Sequence, residues 1–301
     1  MQSKILWQPQ NIIARQSQMF AFMQRINNKF GCNFQEYYDL HKWTIDHIPE
    51  FWGEFWEYAN IIHSTGFKQV VDDPAKMPGA RWFEEARLNF AENLLQRRDD
   101  HTAIIFWGEN KVRRSISYAE LFDQVRLIAA GLKRLGVIKG DRVAGFVPNM
   151  PEAIIAMLAA ASMGAIWSST SPDFGIKGVL DRFSQIEPKV IFAADGYFFR
   201  GKLLNTQEKL AGIIDQLPSV EHVIAIRYTG TAAISSPPKV MSWEDLAQAT
   251  EEPLGFEQLP FDHPLYIMYS SGTTGLPKSI VHSAGGTLIQ HLKELRLHCN
   301  L

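Results

Sequence analysis

The stretch of the chain best suited to chemistry is residues 265–282, LYIMYSSGTTGLPKSIVH. Four hydroxyls, two glycines and one lysine fall close together there: Ser270, Ser271, Gly272, Thr273, Thr274, Gly275 and Lys278. Hydroxyls, backbone N–H groups and an ammonium converging on one loop are the donors that a polyphosphate needs. Glycine also lets the backbone approach a ligand closely. The segment therefore predicts a phosphate-binding loop, residues 270–278, called the phosphate loop below.

Two other interpretations of this loop are weaker. A Walker A loop requires G-x-x-x-x-G-K-[ST] leading directly into a helix. Gly272, Lys278 and Ser279 match that pattern, but Pro277 occupies the position of the second glycine and has no N–H to donate. Residues 279–282 include the β-branched Ile280 and Val281 and are strand-like, which also disfavours a Walker A loop. An ordinary turn is the minority interpretation, because such a run of hydroxyls and glycines rarely serves turning alone.

The elements that must hold this loop alternate between strands and helices from about residue 101 onwards. Short apolar runs typical of strands occur at 142–147, 165–168, 190–193 and 222–226. Helical patterns separate them at 151–163, 175–186 and 207–216. Strands that are apolar throughout are typical of a parallel sheet covered by helices on both faces. The sequence therefore predicts an α/β fold built from βαβ units around a parallel sheet.

Local signals before this sheet predict a hairpin and a capped helix. Residues 103–107 and 113–117 flank the turn 108–111, which predicts a β-hairpin. Ser117 and Glu120 form a capping-box pattern, in which each side chain satisfies the other's backbone N–H. The helix that follows should end at Gly136, because glycine tolerates the left-handed conformation found at helix C-termini.

The first 98 residues predict a helical extension rich in aromatic side chains. Residues 12–30 have helical spacing without glycine or proline, which predicts one continuous helix. Phe51, Phe55 and Tyr58 share one face of a further helix, and we expect this layer to pack onto the main body. The loop 71–79, with two prolines and a glycine, predicts the connector. We predict two regions, the extension at 1–98 and the first, incomplete part of the main domain at 99–301.

Composition limits the classes of protein to which the chain can belong. Its 301 residues are 46% hydrophobic, and 30 basic against 32 acidic residues leave a formal net charge of -2. This balance excludes extensive disorder and lacks the basic footprint of a nucleic-acid-binding protein. Cys32 and Cys299 stand far apart, which excludes a disulfide framework or structural zinc site and favours the cytoplasm. No apolar run reaches the roughly 20 residues of a membrane span, so we expect neither nucleic acid nor membrane as a partner.

Residues 269–278, YSSGTTGLPK, resemble the phosphate-binding signature of the adenylate-forming superfamily, which includes acyl-CoA synthetases, peptide-synthetase adenylation domains and luciferases. The family pattern usually has glycine after the lysine, where this chain has Ser279. Residues 51–56 and 81–95 resemble the N-terminal extension of acetyl-CoA-type synthetases. Within that group, residues 171–175, 180–190 and 193–197 are most similar to acetoacetyl-CoA synthetases. The resemblance implies the large N-terminal domain of an adenylate-forming enzyme, preceded by the helical extension.

This resemblance implies a two-step ligation. A carboxylate attacks ATP to give an acyl-adenylate and pyrophosphate, and the thiol of coenzyme A then displaces AMP. Magnesium neutralises the phosphates. The phosphate loop would hold the β- and γ-phosphates, with Thr273 and Thr274 as the leading contacts. The coenzyme A nucleotide would lie near residues 197–202, with Arg200 and Lys202 on its phosphates, although a solvated basic turn explains these two residues equally well.

Three other residues have simpler explanations than chemistry. Asp173 is predicted to cap the helix that begins near Gly175. Trp167 ends an apolar strand and is predicted to lie in the core. His282 is predicted to be structural, because the sequence shows no second histidine or carboxylate that would act with it.

The superfamily's remaining parts are expected downstream of Leu301: the acidic motif for magnesium and adenine, the ribose-binding aspartate, the hinge and the small domain with the catalytic lysine. No catalytic residue and no metal ligand are therefore assigned here. We expect the chain to be a truncated N-terminal part of a longer synthetase, inactive alone, with acetoacetate as the acid or acetate or propionate as alternatives. A phosphate-loop NTPase and a nucleotide- or coenzyme A-binding module without catalysis are the competing hypotheses.

Overall fold

The computed structural model describes residues 7, 10–109, 111–230, 240–271 and 275–301. The N-terminal layer consists of α1 (Asn11–Arg15), α2 (Gln18–Phe30), α3 (Tyr37–Asp46) and α4 (Ile48–Tyr58). The prediction of one continuous helix over residues 12–30 is wrong, because Ser17 interrupts it. The backbone of Ser17 is extended, and its hydroxyl accepts a hydrogen bond from Phe20 N at 3.2 Å. Ser17 is therefore the N-cap of α2.

Aromatic side chains join this helical layer to the rest of the molecule. Phe22 of α2 packs edge-on against Phe55 of α4, with ring centroids 5.9 Å apart, in a geometry that aromatic quadrupoles favour. Trp56 stacks on Phe83 at 4.8 Å, and Phe83 contacts Phe261 at 4.7 Å. All five side chains are buried in one continuous hydrophobic cluster. The predicted packing of the layer onto the main body is confirmed, and the division at residues 98 and 99 stays a prediction.

A buried carboxylate links α2 to α4. Glu54 of α4 is 2% exposed and accepts hydrogen bonds from Arg25 and Lys29, which lie one turn apart in α2. Burial opposes the ionisation of Glu54, but the hydrogen bonds and charges of Lys29 and Arg25 outweigh it and hold its pKa below the usual value. The carboxylate of Glu54 is therefore ionised within this ion pair.

The predicted connector at residues 71–79 is the loop of a small hairpin. Here β1 (Gln69–Val71) pairs in antiparallel register with β2 (Trp82–Glu84). The Asp72 carboxylate accepts hydrogen bonds from Lys76 Nζ at 2.6 Å and from Arg81 N at 2.8 Å. These bonds hold the pKa of Asp72 well below its usual range. The short elements β3 (Arg87–Leu88) and α5 (Phe90–Leu94) then lead into the main body.

The main body follows in chain order. Its elements are β4 (Thr102–Gly108), β5 (Val112–Ser117), α6 (Tyr118–Arg134), β6 (Arg142–Phe146), α7 (Pro151–Ser162), β7 (Ile166–Thr170), α8 (Ile176–Phe183), β8 (Val190–Ala194), β9 (Gly196–Phe199), β10 (Lys202–Asn205), α9 (Gln207–Ile214), β11 (His222–Ile226), β12 (Val240–Ser242), α10 (Trp243–Leu246), β13 (Leu259–Pro260), β14 (Pro264–Ser270), β15 (Lys278–Ser283) and α11 (Ala284–Lys293), with a π-helical turn at Glu294–His298.

The described part of the chain forms a seven-stranded main sheet in the order β12, β11, β8, β6, β7, β14, β15. Neighbouring strands are parallel from β12 to β14, and β15 returns antiparallel to β14. Successive residues of β6 face different clusters: Val143 packs with side chains of α6 and α7, and Ala144 with those of α8 and α9. The predicted parallel sheet with both faces covered is confirmed, with one antiparallel edge strand.

The local predictions at the start of the main body hold. β4 and β5 form the predicted antiparallel hairpin. Ser117 and Glu120 make both bonds of the capping box, at 2.8 and 3.1 Å, and Gly136 ends the helical segment with φ +72°. Within α6, Gly131 packs so closely on α10 that a Cβ there would lie 2.5 Å from the carbonyl oxygen of Leu246.

Two further observations bear on the class of protein. Among the described residues, no helix combines the length and the apolar character that crossing a membrane requires. Cys32 and Cys299 are both free thiols, and Cys299 is exposed.

Candidate functional site

The phosphate loop joins the last two strands of the main sheet. Ser270 ends β14, Lys278 begins β15, and the two residues are register partners. Because β14 runs parallel to β7, the loop leaves the carboxyl edge of the sheet, where open α/β sheets bind ligands. Gly272, Thr273 and Thr274 lie outside the described residues. A strand follows the loop, as the sequence predicts, and a Walker A loop would lead into a helix.

The described residues of the phosphate loop are open to solvent. Ser271, Gly275 and Lys278 are exposed, and Ser270 is half-buried. Gly275 has φ +142°, a conformation that L side chains rarely adopt, and a Cβ there would meet nothing within 4 Å. Glycine at this position is therefore required by backbone conformation and not by crowding. Among the described residues, Ser271 and Lys278 are therefore accessible to an anionic ligand.

The N-terminal limb of the phosphate loop is anchored through Tyr269. Its hydroxyl donates to Arg182 O at 3.3 Å and lies 3.2 Å from Ser168 Oγ. The Arg182 guanidinium also lies over the ring, 5.7 Å from its centroid. Burial raises the pKa of Tyr269 against the smaller opposing effects of Ser168 and Arg182, so the hydroxyl keeps its proton. The end of α8 thereby fixes the end of β14.

The C-terminal limb contacts a residue just beyond α8. Gln185 Nε2 donates to Pro277 O at 2.9 Å, and Gln185 Oε1 accepts from Ser279 Oγ at 2.9 Å. Sequence reasoning gave Gln185 no role. Its partners are 92 and 94 residues away along the chain, and no local pattern distinguishes it from an ordinary surface glutamine.

The predicted coenzyme A contacts lie on the hairpin of β9 and β10. Arg200 and Gly201 form its turn, with φ +50° and +74°. Arg200 and Lys202 are exposed, and the Arg200 guanidinium lies over the Phe199 ring, 5.3 Å from its centroid. Gly201 N donates to Glu109 Oε2 at 2.8 Å, which fixes this turn against the β4–β5 turn. No hydrogen bond or ion pair joins the two basic side chains to the described residues of the phosphate loop.

The prediction that Asp173 caps α8 is wrong. The N-cap is Gly175, which makes no side-chain bond, because Asp173 lies two residues too early. Asp173 Oδ1 instead accepts a hydrogen bond of 2.7 Å from the Tyr197 hydroxyl, and Oδ2 accepts one of 3.1 Å from Ser171 Oγ. Burial, together with Asp173, raises the pKa of Tyr197 to about 12. Since Tyr197 belongs to β9, this bond ties the hairpin to the loop after β7.

The two remaining residues, Trp167 and His282, lie on strands of the main sheet. Trp167 is 7% exposed in the core, and the half-buried His282 ring lies 5.2 Å from the ring of Tyr266. The described residues contain no group of three His, Cys, Asp or Glu side chains that could hold a metal ion. A cavity of about 700 Å³ lies between α6 and the segment 252–257, and none of the sequence-predicted site residues lines it.

The fold and the loop define an α/β domain with a Ser/Thr/Gly loop between two strands at the carboxyl edge of its sheet. The family model described as "AMP-binding enzyme" matches residues 90–299, and the one described as "Acetyl-coenzyme A synthetase N-terminus" matches residues 37–94. The chain belongs to the AMP-binding enzyme family.

Several known proteins resemble the chain over its whole length. Acetoacetyl-CoA synthetase of Gallus gallus is 45% identical and that of Rhizobium meliloti (strain 1021) 46% identical, over 100% and 98% of this chain and 46% of each relative. Malonamoyl-CoA synthetase vrtB of Penicillium aethiopicum is 42% identical over 99% of this chain and 43% of its own. The solved acetoacetyl-CoA synthetase of Streptomyces lividans superposes with a TM-score of 0.93 at 42% identity, covering 99% of this chain and 46% of that one. The chain thus has the fold of the N-terminal domain of an adenylate-forming enzyme and spans about half the length of the curated relatives it matches.

Proposed function

We propose that this chain is the N-terminal portion of an acid–thiol ligase that converts acetoacetate, ATP and coenzyme A into acetoacetyl-CoA, AMP and pyrophosphate. The observation that carries the proposal is the phosphate loop at the carboxyl edge of the sheet in a member of the AMP-binding family. A carboxylate oxygen attacks the α-phosphorus and pyrophosphate leaves. The sulfur of coenzyme A then attacks the acyl carbon, and AMP leaves with the bonding electrons.

The phosphate loop is proposed to bind the β- and γ-phosphates of ATP. Its donors are the hydroxyls and backbone N–H groups of Ser270, Ser271, Gly272, Thr273, Thr274 and Gly275, with the ammonium of Lys278. Hydrogen bonds to an ionised phosphate are roughly twice as strong as those between neutral groups. Fixed donors also stabilise the charge that develops on the departing pyrophosphate without having to reorganise.

Arg200 and Lys202 are proposed to bind the phosphates of coenzyme A. Both are exposed on a turn that Glu109 holds in place, and a solvated basic turn is the competing explanation. Replacing Arg200 with Ala should raise the KM for coenzyme A and leave the first half-reaction unchanged, because that step does not use coenzyme A. An unchanged KM would favour the solvated turn.

Magnesium is proposed as the counter-ion of the ATP phosphates. The described residues offer no cluster of potential metal ligands, so they do not form a site for the ion by themselves. The chemistry proposed for this chain itself is phosphate binding by the loop.

Acetoacetate is proposed as the acid because the chain is 44–46% identical to several proteins named acetoacetyl-CoA synthetase. The relative named malonamoyl-CoA synthetase, at 42% identity, makes malonamate an alternative beside acetate and propionate. We further propose a cytoplasmic location for the protein, with small molecules as its partners. A nucleotide- or coenzyme A-binding module without catalysis is the second candidate function.

The test is the acid-dependent exchange of pyrophosphate into ATP by the full-length gene product, with acetoacetate, malonamate, acetate, propionate and butyrate compared. Exchange that is strongest with acetoacetate supports the proposal. Exchange that is strongest with another acid keeps the ligase mechanism and replaces the substrate. No exchange with any acid favours the binding module. The 301-residue chain alone is expected to form no thioester.

A further inference from the structure

The side chain of Gln185 makes hydrogen bonds to α8 and to the C-terminal limb of the phosphate loop. Its Nε2 donates to Asp181 O at 2.6 Å, four residues back in the chain, and to Pro277 O at 2.9 Å in the phosphate loop. Its Oε1 accepts from Ser279 Oγ at 2.9 Å. An amide nitrogen has two hydrogens to donate, and both are used here. The orientation of the side chain is therefore fixed by three bonds.

These bonds fix the backbone on both sides of Lys278. Pro277 has no N–H, so its carbonyl is the one backbone group through which that residue can be held. Ser279 is held through its hydroxyl. Lys278 lies between them and is exposed. A long side chain loses conformational entropy when it binds a ligand, and a fixed Cα restricts where its ammonium can reach before the ligand arrives.

The contact with Gln185 depends on the hydroxyl of Ser279. Glycine or alanine at this position has no hydroxyl and could not donate to Gln185. Serine therefore adds a contact on the edge strand β15 that these two residues could not make.

We propose that Gln185 and Ser279 form a clamp that positions the C-terminal limb of the phosphate loop, and with it Lys278, for the phosphates of ATP. The proposal rests on the proposed function, since it assumes that the loop binds ATP. Gln185 is a positioning residue: it acts on the loop backbone and not on the ligand.

The test compares Q185M, S279A and S279G with the unmodified full-length protein in acid-dependent ATP–pyrophosphate exchange at varied ATP. Because Gln185 and Ser279 are exposed, each lost hydrogen bond should cost about two- to fivefold, the lower part of the usual range. S279A and S279G should raise the KM for ATP by about two- to fivefold, and Q185M by about four- to twenty-fivefold because it breaks both bonds to the loop. The KM for the acid should stay unchanged. Q216M is the matched control, since Gln216 Nε2 makes the same bond to the carbonyl four residues back, at 3.0 Å to Gly212 O.

A second readout needs no activity. Trypsin cleaves after Lys278 only when the neighbouring backbone can leave its bound conformation, so Q185M and S279A should be cut there several times faster than the unmodified protein or Q216M. An unchanged KM for ATP in a folded Q185M, or an equal change in Q216M, would overturn the clamp. If Q185M does not fold, the two Ser279 variants decide in the same way. Absence of exchange in the unmodified protein would refute the proposed function, and the trypsin rates would still decide on the clamp.

Discussion

Removing the hydroxyl of Tyr197 should separate the two half-reactions of the proposed ligase. Tyr197 is 5% exposed, and its hydroxyl donates to Asp173 Oδ1 at 2.7 Å. This bond joins β9, which leads into the turn that carries Arg200, to the loop after β7. A hydrogen bond to a charged group is worth about 1.5–3 kcal/mol. Because Asp173 is exposed and regains water when the bond is lost, we take a value at or just below the lower end of that range, about 1–1.5 kcal/mol.

That energy corresponds to about five- to thirteenfold in a binding constant. In Y197F of the full-length protein, the KM for coenzyme A should rise by that factor in thioester formation. Acid-dependent ATP–pyrophosphate exchange, which uses no coenzyme A, should stay within about twofold. D173A should reproduce the effect, and D173N should largely restore it, because its amide oxygen can still accept the bond. A KM for coenzyme A that is unchanged in both Y197F and D173A would refute the reasoning.

Burial of the Tyr197 hydroxyl, together with its bond to Asp173, has a signature in the pH dependence of stability. The pKa of Tyr197 is raised to about 12 in the folded protein, from about 10 in the unfolded chain. A raised pKa contributes stability that is fully present below pH 10 and is lost as the pH rises through the folded value. The difference in unfolding free energy between the unmodified protein and Y197F should therefore shrink between about pH 10 and pH 12. A constant difference in denaturant titrations across that window would contradict the assignment.

Three further perturbations have definite expected results. E54Q should lower the unfolding free energy by about 1–2 kcal/mol near neutral pH. Because the pKa of the Glu54 carboxyl is depressed in the folded protein, the stability that its charge contributes is lost as the pH falls. The difference in unfolding free energy between E54Q and the unmodified protein should therefore shrink below about pH 4.3 in urea titrations. G131A should lower the unfolding free energy by about 1–3 kcal/mol, because its Cβ would meet Leu246. In the control G255A the new Cβ would have nothing within 4 Å, and the unfolding free energy should stay within about 0.5 kcal/mol of the unmodified protein. Equal effects of the two substitutions would contradict the packing argument. K278A should reduce acid-dependent exchange by about 10- to 100-fold, and loss of an acid-independent phosphate release would indicate an NTPase instead.

The sheet and the start of the main body could be predicted because their signals are local. Strands that are apolar on both faces, such as β8, specify burial between two layers of helices. The capping box of Ser117 and Glu120 spans one helical turn. The strand after the phosphate loop is predicted by the β-branched Ile280 and Val281, which follow Pro277 by three and four residues. The break between α1 and α2 at Ser17 also has a local signal, because serine prefers the N-cap position of a helix. Periodicity alone does not show this break, since the helical spacing of apolar residues continues across Ser17.

The contacts that hold the candidate site could not be predicted, because they join residues far apart in the chain. Three residues at or near the ends of α8 contact segments at the carboxyl edge of the sheet: Asp173 contacts the hairpin through its carboxylate, Arg182 contacts Tyr269 of β14 through its backbone carbonyl, and Gln185 contacts the phosphate loop through its side chain. Only the buried face of α8, with Phe183, has a periodic signal. In the sequence, the polar residues of α8 look like an ordinary solvated surface. Their contacts arise only because the sheet places β14 and β15 beside them. In two of these three contacts the acceptor is a backbone carbonyl, Arg182 O or Pro277 O. Every residue type has such a carbonyl, so the sequence contains no signal for these bonds. The pattern of side chains in a single sequence therefore predicts which surfaces are buried better than it predicts which contacts hold the loops in place.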